Sequence, residues 1–377
     1  MDNVLEIIYN KYTDSTGVSI DTRKLKKGNI FFAIKGERFD GNNFITQALD
    51  KGASFVITDD KKLINNKKCV YVKDTLICLQ NLATFHRVKL NISLIGITGS
   101  NGKTTTKNLT SLVLKTNYKV YSTKGNFNNH IGVPLSILEL DASHEIAVIE
   151  MGASGLGEIT LLCEISRPNV GLITNISPVH LEGFGNFESV IRGKSELFDY
   201  LIKNDGIAFI NNKDKTLLNF SKRFEKPYLL FGDTAFVKCE FLTADPYISF
   251  SLDENEIVQT KIIGDYNFEN IVSAISIGKY FGVDTSSASQ AVCKYESSQN
   301  RSQVIEKNNF KIILDAYNAN PTSVFKALSN FSNFEGKKIV ILGDMLELGR
   351  RSKTEHNKLG NILQEFNFDI VYLVGKE

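Results

Sequence analysis

Apolar positions recur along this chain in two rhythms. From Leu94 to about Asp233, the apolar runs SLIGIT, IAVIEM, VGLIT, GIAFI and YLLF alternate with stretches of helical spacing. Near-continuous apolar strands between helices predict a parallel, doubly wound sheet, because neither face of such a strand meets water. The next stretch, VKCEFLTADPYISFSLDENEIVQTKIIG, changes to period two and predicts an antiparallel patch. Asn267–Phe281 returns to a helix. Upstream, NIFFAI and ASFVIT read as short strands. Between them Phe44, Ile45, Ala48 and Leu49 are spaced as one helical face, with Gly52 suited to a helix end. Beyond Arg301, FKIILDA, KKIVILG and DIVYLVG read as three strands of a small parallel sheet. Asn320 before Pro321 predicts a helix over 321–331. Ser352 and Glu355 have capping-box spacing and predict another over 352–366.

The chain therefore reads as α/β in three units: 1–86, 87–300 and 301–377. The last is small enough to be incomplete. Its 377 residues agree with two or three domains at about 100–200 residues each. A net charge of +2 argues against a nucleic-acid or polybasic membrane partner, since those need a concentrated basic patch. The lysine-rich pieces KLKK and DDKKLINNKK have acids or amides nearby and read as solvated surface. No apolar run reaches the roughly 18–20 residues that span a bilayer. The N-terminus MDNVLEIIYNKYTDS is acidic and amphipathic, unlike a signal peptide. Five cysteines without a CxxC pair read as reduced thiols, so a cytoplasmic setting is expected.

Chemistry concentrates at TGSNGKTT, residues 98–105, between an apolar strand and a helix carrying Leu109, Leu112 and Val113. That is the setting of a phosphate-binding loop. Backbone N–H groups of Gly99, Ser100, Asn101 and Gly102 and the helix start would face phosphate oxygens. Lys103 supplies positive charge, Thr104 a hydroxyl for Mg²⁺, and Thr105 continues the turn. The loop departs from GxxxxGK[ST], because position 97 is Ile; it is a narrower variant. Glu150 ends the strand EIAVIE, and His180 follows GLITNIS. Both lie beyond the carboxyl ends of strands, where ligands bind in open parallel sheets. Together they can hold a divalent ion beside the phosphates. Singly, Glu150 could be a capping or surface acid and His180 a buried structural histidine. Lys194 falls inside the apolar stripe Val190, Ile191, Leu197, Phe198 and Leu201. Two readings of it stand open: the stem snorkels along apolar surface, or CO₂ converts the amine to an anionic carbamate that suits a site for Mg²⁺ and polyphosphate. A GTPase is disfavoured, since NNKDK at 211–215 misses the NKxD spacing.

Several motifs then resemble one family. TGSNGKTTTK, GNFNNHIGVP, EMGASGLGEI, NISPVHLEGFGNFESVIRGKSELF, LDAYNANPTS and ILGDMLELG are similar, in order, to those of the ATP-dependent Mur ligases of peptidoglycan synthesis. SIDTRKLKKGNIFFAIKGERFDGNNFI resembles their uridine-recognition domain. The resemblance runs from about residue 19 to 350. It implies a three-domain architecture: a UDP-substrate domain, a central P-loop ATPase on a parallel sheet, and a Rossmann-like C-terminal domain longer in the family than 301–377. It further implies that D-alanyl-D-alanine is joined to UDP-N-acetylmuramoyl-tripeptide through an acyl phosphate, in a monomer with ATP and Mg²⁺. By the resemblance, Lys103 holds the terminal phosphates, and Thr104, Glu150 and His180 hold magnesium. Lys194 falls on the family's carbamylated lysine. Asn270, Arg301 and Asp315 match adenine and ribose positions, with Tyr317 and Asn318 nearby. Thr22, Arg23, Lys35, Arg38, Asp40 and Gly41 match the uridine side. Asn128, Asn129 and His130 match the segment along the muramoyl nucleotide. Tyr266 stands where the family often has His. The rivals are a relative adding the third amino acid (meso-diaminopimelate or lysine), which normally lacks GDMLELG, and a folylpolyglutamate synthetase, whose loop is closer to GKGS. A non-catalytic nucleotide-binding scaffold would not need Glu150, His180 and Lys194 together.

Overall fold

The computed structural model describes residues 2–377 apart from 38, 254, 255, 299 and 309. Chain order runs α1 (Asp2–Thr13), β1 (Val18–Ser19), β2 (Ile30–Phe32), α2 (Ile45–Asp50), β3 (Phe55–Thr58), β4 (Cys69–Tyr71) and α3 (Thr75–Lys89). The four strands form a parallel sheet in the order β1-β2-β3-β4. NIFFAI and ASFVIT are its central pair, as their apolar runs require. The edge strands are too short to leave a pattern in sequence.

The middle of the chain supplies β5 (Ser93–Thr98), α4 (Lys103–Leu114), β6 (Val120–Ser122), α5 (Gly132–Ile137), β7 (Ile146–Glu150), α6 (Glu158–Ser166) and β8 (Val170–Ile173). It continues with α7 (Leu181–Phe184), α8 (Phe187–Lys203), β9 (Ile207–Ile210), α9 (Lys215–Ser221) and β10 (Tyr228–Leu229). These strands make a six-stranded parallel sheet in the order β10-β9-β8-β5-β7-β6. The connection after β5 runs to β6 on one side and the one after its neighbour β8 to β9 on the other, so the crevice past their carboxyl ends is the switch point where α/β sheets bind ligands.

The period-two stretch forms an antiparallel sheet of β11 (Cys239–Ala244), β12 (Tyr247–Leu252) and β13 (Glu256–Ile263). Helices α10 (Phe268–Tyr280) and α11 (Thr285–Cys293) follow, with α10 packed on α4. The last segment holds β14 (Gln303–Lys307), β15 (Phe310–Leu314), α12 (Pro321–Ser332), β16 (Ile339–Gly343), α13 (Ser352–Glu365) and β17 (Ile370–Val374).

Two expectations for this segment need correction. FKIIL does not join a three-stranded parallel sheet; it pairs antiparallel with β14, while β16 and β17 form a separate parallel pair. A hairpin strand and a parallel strand can carry the same short apolar run, so periodicity could not separate them. Ser352 is not a cap either. A 3-10 turn at Gly349–Arg351 leads into α13, and its boundary residue Arg351 makes no side-chain capping bond. Asn320, by contrast, caps α12 through a reciprocal box with Ser323.

Two hydrophobic clusters flank the central sheet. One unites Leu94, Ala147, Ile149 and Leu197 with Ile8, Leu79 and Leu82, so α1 and α3 share a core with α6 and α8. The other packs Ile95, Ile97 and Val148 against Leu109, Val113, Ile271 and Ile275. The α3–α6 junction is fastened by Arg87, only 7% exposed. Its guanidinium donates to the carbonyls of Ser166, Leu90, Ile92 and Arg167 at 2.8–3.2 Å. Two of these carbonyls end α6, where a cation offsets the helix dipole. Among the described residues no helix is long and apolar enough to cross a membrane.

Arg87→Ala would strand those buried acceptors. It should lower stability by about 3 kcal/mol, read from the urea unfolding midpoint, with Arg87→Lys recovering only part.

Candidate functional site

The phosphate loop is shaped by two glycines that no other residue could replace. Gly99 has φ +139°, and a Cβ there would lie 2.0 Å from Thr174 Oγ1. Gly102 has φ +81°, and its Cβ would meet Asn270 Oδ1 at 2.6 Å. The segment 174–177, just past β8, braces the loop. Asn175 Oδ1 accepts the Asn101 N–H at 3.1 Å, and Thr174 Oγ1 donates to the Asn101 carbonyl at 2.6 Å. Ser100 exchanges hydrogen bonds with Ser177 at 2.9 Å. Lys103 begins α4, with its ammonium on the carbonyls of Gly99 (2.8 Å) and Ser100 (3.1 Å). Burial pushes its pKa down, Glu150 opposing and Arg301 adding to the shift.

Glu150 ends β7 beside the loop and is 1% exposed. Its carboxylate accepts from Thr104 Oγ1 at 2.8 Å and from Asn128 Nδ2 at 2.9 Å. Its N–H donates to Thr123 Oγ1 at 3.0 Å, and the Thr123 carbonyl accepts from buried Lys107 at 2.7 Å. Thr104 and Glu150 thus present hard oxygens at one point, next to where the loop would hold phosphates. Among the described residues no three His, Cys, Asp or Glu side chains gather into a metal cage. This donor set fits Mg²⁺, which keeps much of its shell as water and phosphate and takes only one or two protein carboxylates.

His180 stands at φ +52° and pairs through Nδ1 with Glu347. Burial pushes its pKa down, Glu347 opposing and Lys194 and Lys103 adding to the shift. Donation from Nδ1 to Glu347 leaves the Nε2 lone pair free, a usual arrangement for a ligating histidine. Lys194, on α8, is fully buried. Its ammonium donates to the Ala153 carbonyl at 2.8 Å and lies 5.3 Å from the centre of the Phe184 ring. The amine does not reach water, so snorkelling is excluded. Burial, then the charge of Lys103, lowers its pKa to about 7.

One cleft of about 520 Å³ collects Ser100–Thr105, Asn128, Asn129, Glu150, His180, Asn270, Arg301, Asp315, Tyr317 and Asn318. Asn270 accepts from Thr106 Oγ1 at 2.9 Å. The Arg301 guanidinium lies 3.7 Å from the Tyr317 ring centre, and its buried Nε has no partner. Asp315 accepts the Ser302 N–H at 3.1 Å, and burial raises its pKa. An unpartnered donor and a carboxylate in one cleft suit a sugar or base with both hydrogen-bonding senses.

Other expected residues lie apart. His130 is exposed and outside the cleft lining, its carbonyl taken by Gln80 at 3.0 Å. Thr22 donates to Gln47 at 2.6 Å, Arg23 pairs with Asp21 at 2.8 Å, and Lys35 faces Asp40 at 3.8 Å. The Gly41 N–H donates to Ile34 at 2.9 Å. These share the four-stranded unit but do not line the cleft. Arg38 lies outside the described residues.

Sequence reading gave no site role to Glu269, Asn320, Lys326 and Glu347 and noted Tyr266 only as a departure from the family's His; all five line the cleft. Tyr266 bonds Ser302 Oγ at 2.9 Å. Asn320 and Glu347 sit inside the motifs LDAYNANPTS and ILGDMLELG, which was the only signal available for them.

Comparisons with known proteins agree along the whole chain. Residues 14–87 match "Mur ligase family, catalytic domain", 97–278 match "Mur ligase middle domain", and 300–377 match "Mur ligase, glutamate ligase domain". The UDP-N-acetylmuramoyl-tripeptide–D-alanyl-D-alanine ligase of Bacillus subtilis (strain 168) is 38% identical over 368 residues, which is 96% of this chain and 80% of that protein. The Escherichia coli (strain K12) ligase of the same name is 31% identical, over 96% of this chain and 81% of its own. Crystal structure I of MurF from Acinetobacter baumannii superposes with a TM-score of 0.88 at 29% identity, covering 98% of this chain and 85% of that one. MurF ligase from Thermotoga maritima in complex with ADP gives 0.83 at 30%, covering 99% and 85%.

The position of Lys194 makes stability pH-dependent. Its pKa is lower folded than unfolded, so between about pH 7 and 10 the unfolded chain binds more protons and stability rises with pH. In CO₂-free buffer, Lys194→Met should flatten that rise, measured by urea unfolding at pH 7 and 9.5.

Proposed function

The chain belongs to the Mur ligase family, and from its site we infer that it joins D-alanyl-D-alanine to UDP-N-acetylmuramoyl-tripeptide while ATP becomes ADP and phosphate. The activity is that of an ATP-dependent amide ligase of peptidoglycan precursor synthesis. The observation that carries the reading is the single cleft in which the phosphate loop, Asn128–Asn129 and the segment 315–320 face one another. A nucleotide, a carboxylate-bearing substrate and a second unit can meet there.

A carboxylate resists amines because oxide is too poor a leaving group. In the reading proposed here, a terminal carboxylate oxygen of the tripeptide attacks the γ-phosphorus of ATP. The bond from that phosphorus to the β-phosphate bridge breaks, and ADP leaves. The dipeptide amine, after losing a proton to water, attacks the acyl carbon, the C–O bond to phosphate breaks, and the second amine proton leaves with the phosphate. Phosphate then departs with one oxygen that began in the tripeptide. Lys103 stabilises the charge that shifts in the first step. Asn128 holds the Glu150 carboxylate from the substrate side, so the metal and muramoyl segments are set by one contact. Bound Mg²⁺, held by Thr104, Glu150 and His180, would neutralise charge on the transferred group. Asn270, Arg301, Asp315, Tyr317 and Asn318 receive the adenosine end. Thr22, Arg23, Lys35, Arg38, Asp40 and Gly41 receive the uridine. Asn129 and His130 extend along the sugar between them.

Lys194 supports the carbamate reading by its surroundings. A buried amine whose pKa falls to about 7 is substantially neutral at physiological pH. Only the neutral amine adds to CO₂, and the product anion would oppose the nearby Lys103 charge. The division at 1–86, 87–300 and 301–377 is proposed with a hinge near 300, closing the cleft against water. A cytoplasmic monomer is the setting proposed for this chemistry.

Purified protein should release phosphate only when ATP, the UDP-tripeptide and D-alanyl-D-alanine are all present. Oxygen-18 in the tripeptide's terminal carboxylate should appear in that phosphate; unlabelled phosphate rules out the acyl-phosphate route. Replacing D-alanyl-D-alanine with meso-diaminopimelate, together with the dipeptide precursor, should release none. Lys103→Ala should cost at least about a hundredfold in kcat. Lys194→Ala should lose activity and regain part of it with added formate, which a purely structural lysine would not.

A further inference from the structure

Among the described residues, besides the Tyr266–Ser302 bond, two polar side-chain contacts join the P-loop side of the cleft to residues 301–377. One is the His180–Glu347 pair. The other joins Asn320 to Asn101: Asn320 Nδ2 donates to Asn101 Oδ1 at 2.7 Å, across 219 positions of sequence. Each partner is already fixed on its own side. Asn101 is the loop residue gripped by Thr174 and Asn175, and its own Nδ2 donates to Ser177 Oγ at 3.1 Å. Asn320 Oδ1 caps α12 by accepting the Ser323 N–H at 2.9 Å, and the Asn320 N–H donates to Ser323 Oγ at 3.1 Å.

The choice of side chain is what makes this contact informative. A primary amide carries an acceptor and a donor on opposite edges. Here the oxygen edge serves the helix and the nitrogen edge serves the loop. Asp would cap α12 as well but has no hydrogen to give Asn101. Ser would cap it without charge but is too short to reach. A residue needed only as a cap could be any of the three. Helix α12 also brings Thr322, Ser323 and Lys326 into the lining of the cleft, opposite the loop.

We propose that Asn320 is a positioning residue: its bond to Asn101 sets α12, with the cleft residues it carries, in register with the phosphate loop. The two halves of the ATP site then come together only around a loop already in its phosphate-binding shape. The proposal rests on the ligase reading, in that it assigns the register to an ATP site.

The test compares wild type with Asn320→Asp and Asn320→Ser, both of which keep the cap and lose the bridge. Amide hydrogen exchange over residues 321–326 is followed with and without magnesium and a non-hydrolysable ATP analogue, AMP-PNP. The nucleotide should slow exchange in wild type and have little effect in either variant. In steady-state turnover kcat should fall about tenfold, the scale of one lost hydrogen bond. KM for ATP in the serine variant and the melting temperature of both should stay near wild type. Asn101→Ala should show the same loss of nucleotide-dependent protection, and adding Asn320→Ser to it should make little further difference. Wild-type nucleotide protection in both Asn320 variants would overturn the proposal, as would losses that multiply in the double variant. Should wild type show the protection yet release no phosphate with the full set of substrates, the ligase reading fails, while the exchange comparison still decides the role of Asn320.

Discussion

Glu150 is a carboxylate taken almost wholly out of water, and the site is arranged around keeping it satisfied. A buried charge without partners would be strongly destabilising. Here Thr104, at the start of the loop helix, takes one oxygen, and Asn128, on the polar strip after β6, takes the other. Those two bonds tie the phosphate loop, the end of β7 and the polar strip after β6 to a common point. Thr123 and Lys107 extend the tie one layer deeper. Three separate segments of the chain are therefore held to one carboxylate.

The cleft's electrostatics follow from what surrounds that anchor. Lys103 and Arg301 line the cleft, Lys107 and Lys194 lie outside its lining on the Thr123 and Ala153 carbonyls, and burial lowers the pKa of the three lysines. Such cations gain most when an anion arrives in the same low-dielectric space. A polyphosphate is the ligand that relieves the most of this cost at once.

Packing separates the chain into unequal mechanical parts. Helices α1 and α3 share a core with the central sheet and are fastened to it by Arg87. Residues 301–377 have only a small core around Leu328, Val340, Met345, Leu348 and Leu359. They reach the rest of the cleft through polar contacts at Asn101, His180 and Tyr266. Polar contacts between separately cored parts are the kind that open and close at modest cost.

Much of this was legible in sequence, and the reason is local. Continuous apolar strands, the Gly-Lys-Thr turn and the period-two patch each advertise their structure within a few residues, so the central sheet, the loop and the antiparallel sheet could be placed directly. Lys194 stood out because a lysine inside an apolar stripe violates the pattern. What sequence could not supply was pairing. The same apolar run serves in a hairpin or a parallel sheet, and only the fold put FKIIL beside β14. Ser352 and Asn320 both stand at helix starts as plausible caps, yet only Asn320 bonds as one, because the 3-10 turn before α13 makes Ser352 its first helical residue. Glu347 meets His180, and Asn320 meets Asn101, across more than a hundred residues each. The sequence by itself determined which chemical groups the protein owns and which local elements carry them. The tertiary structure decided which of those groups face each other, because hydrogen bonds and buried charges choose partners by distance in space, and that distance is not written in the order of the chain.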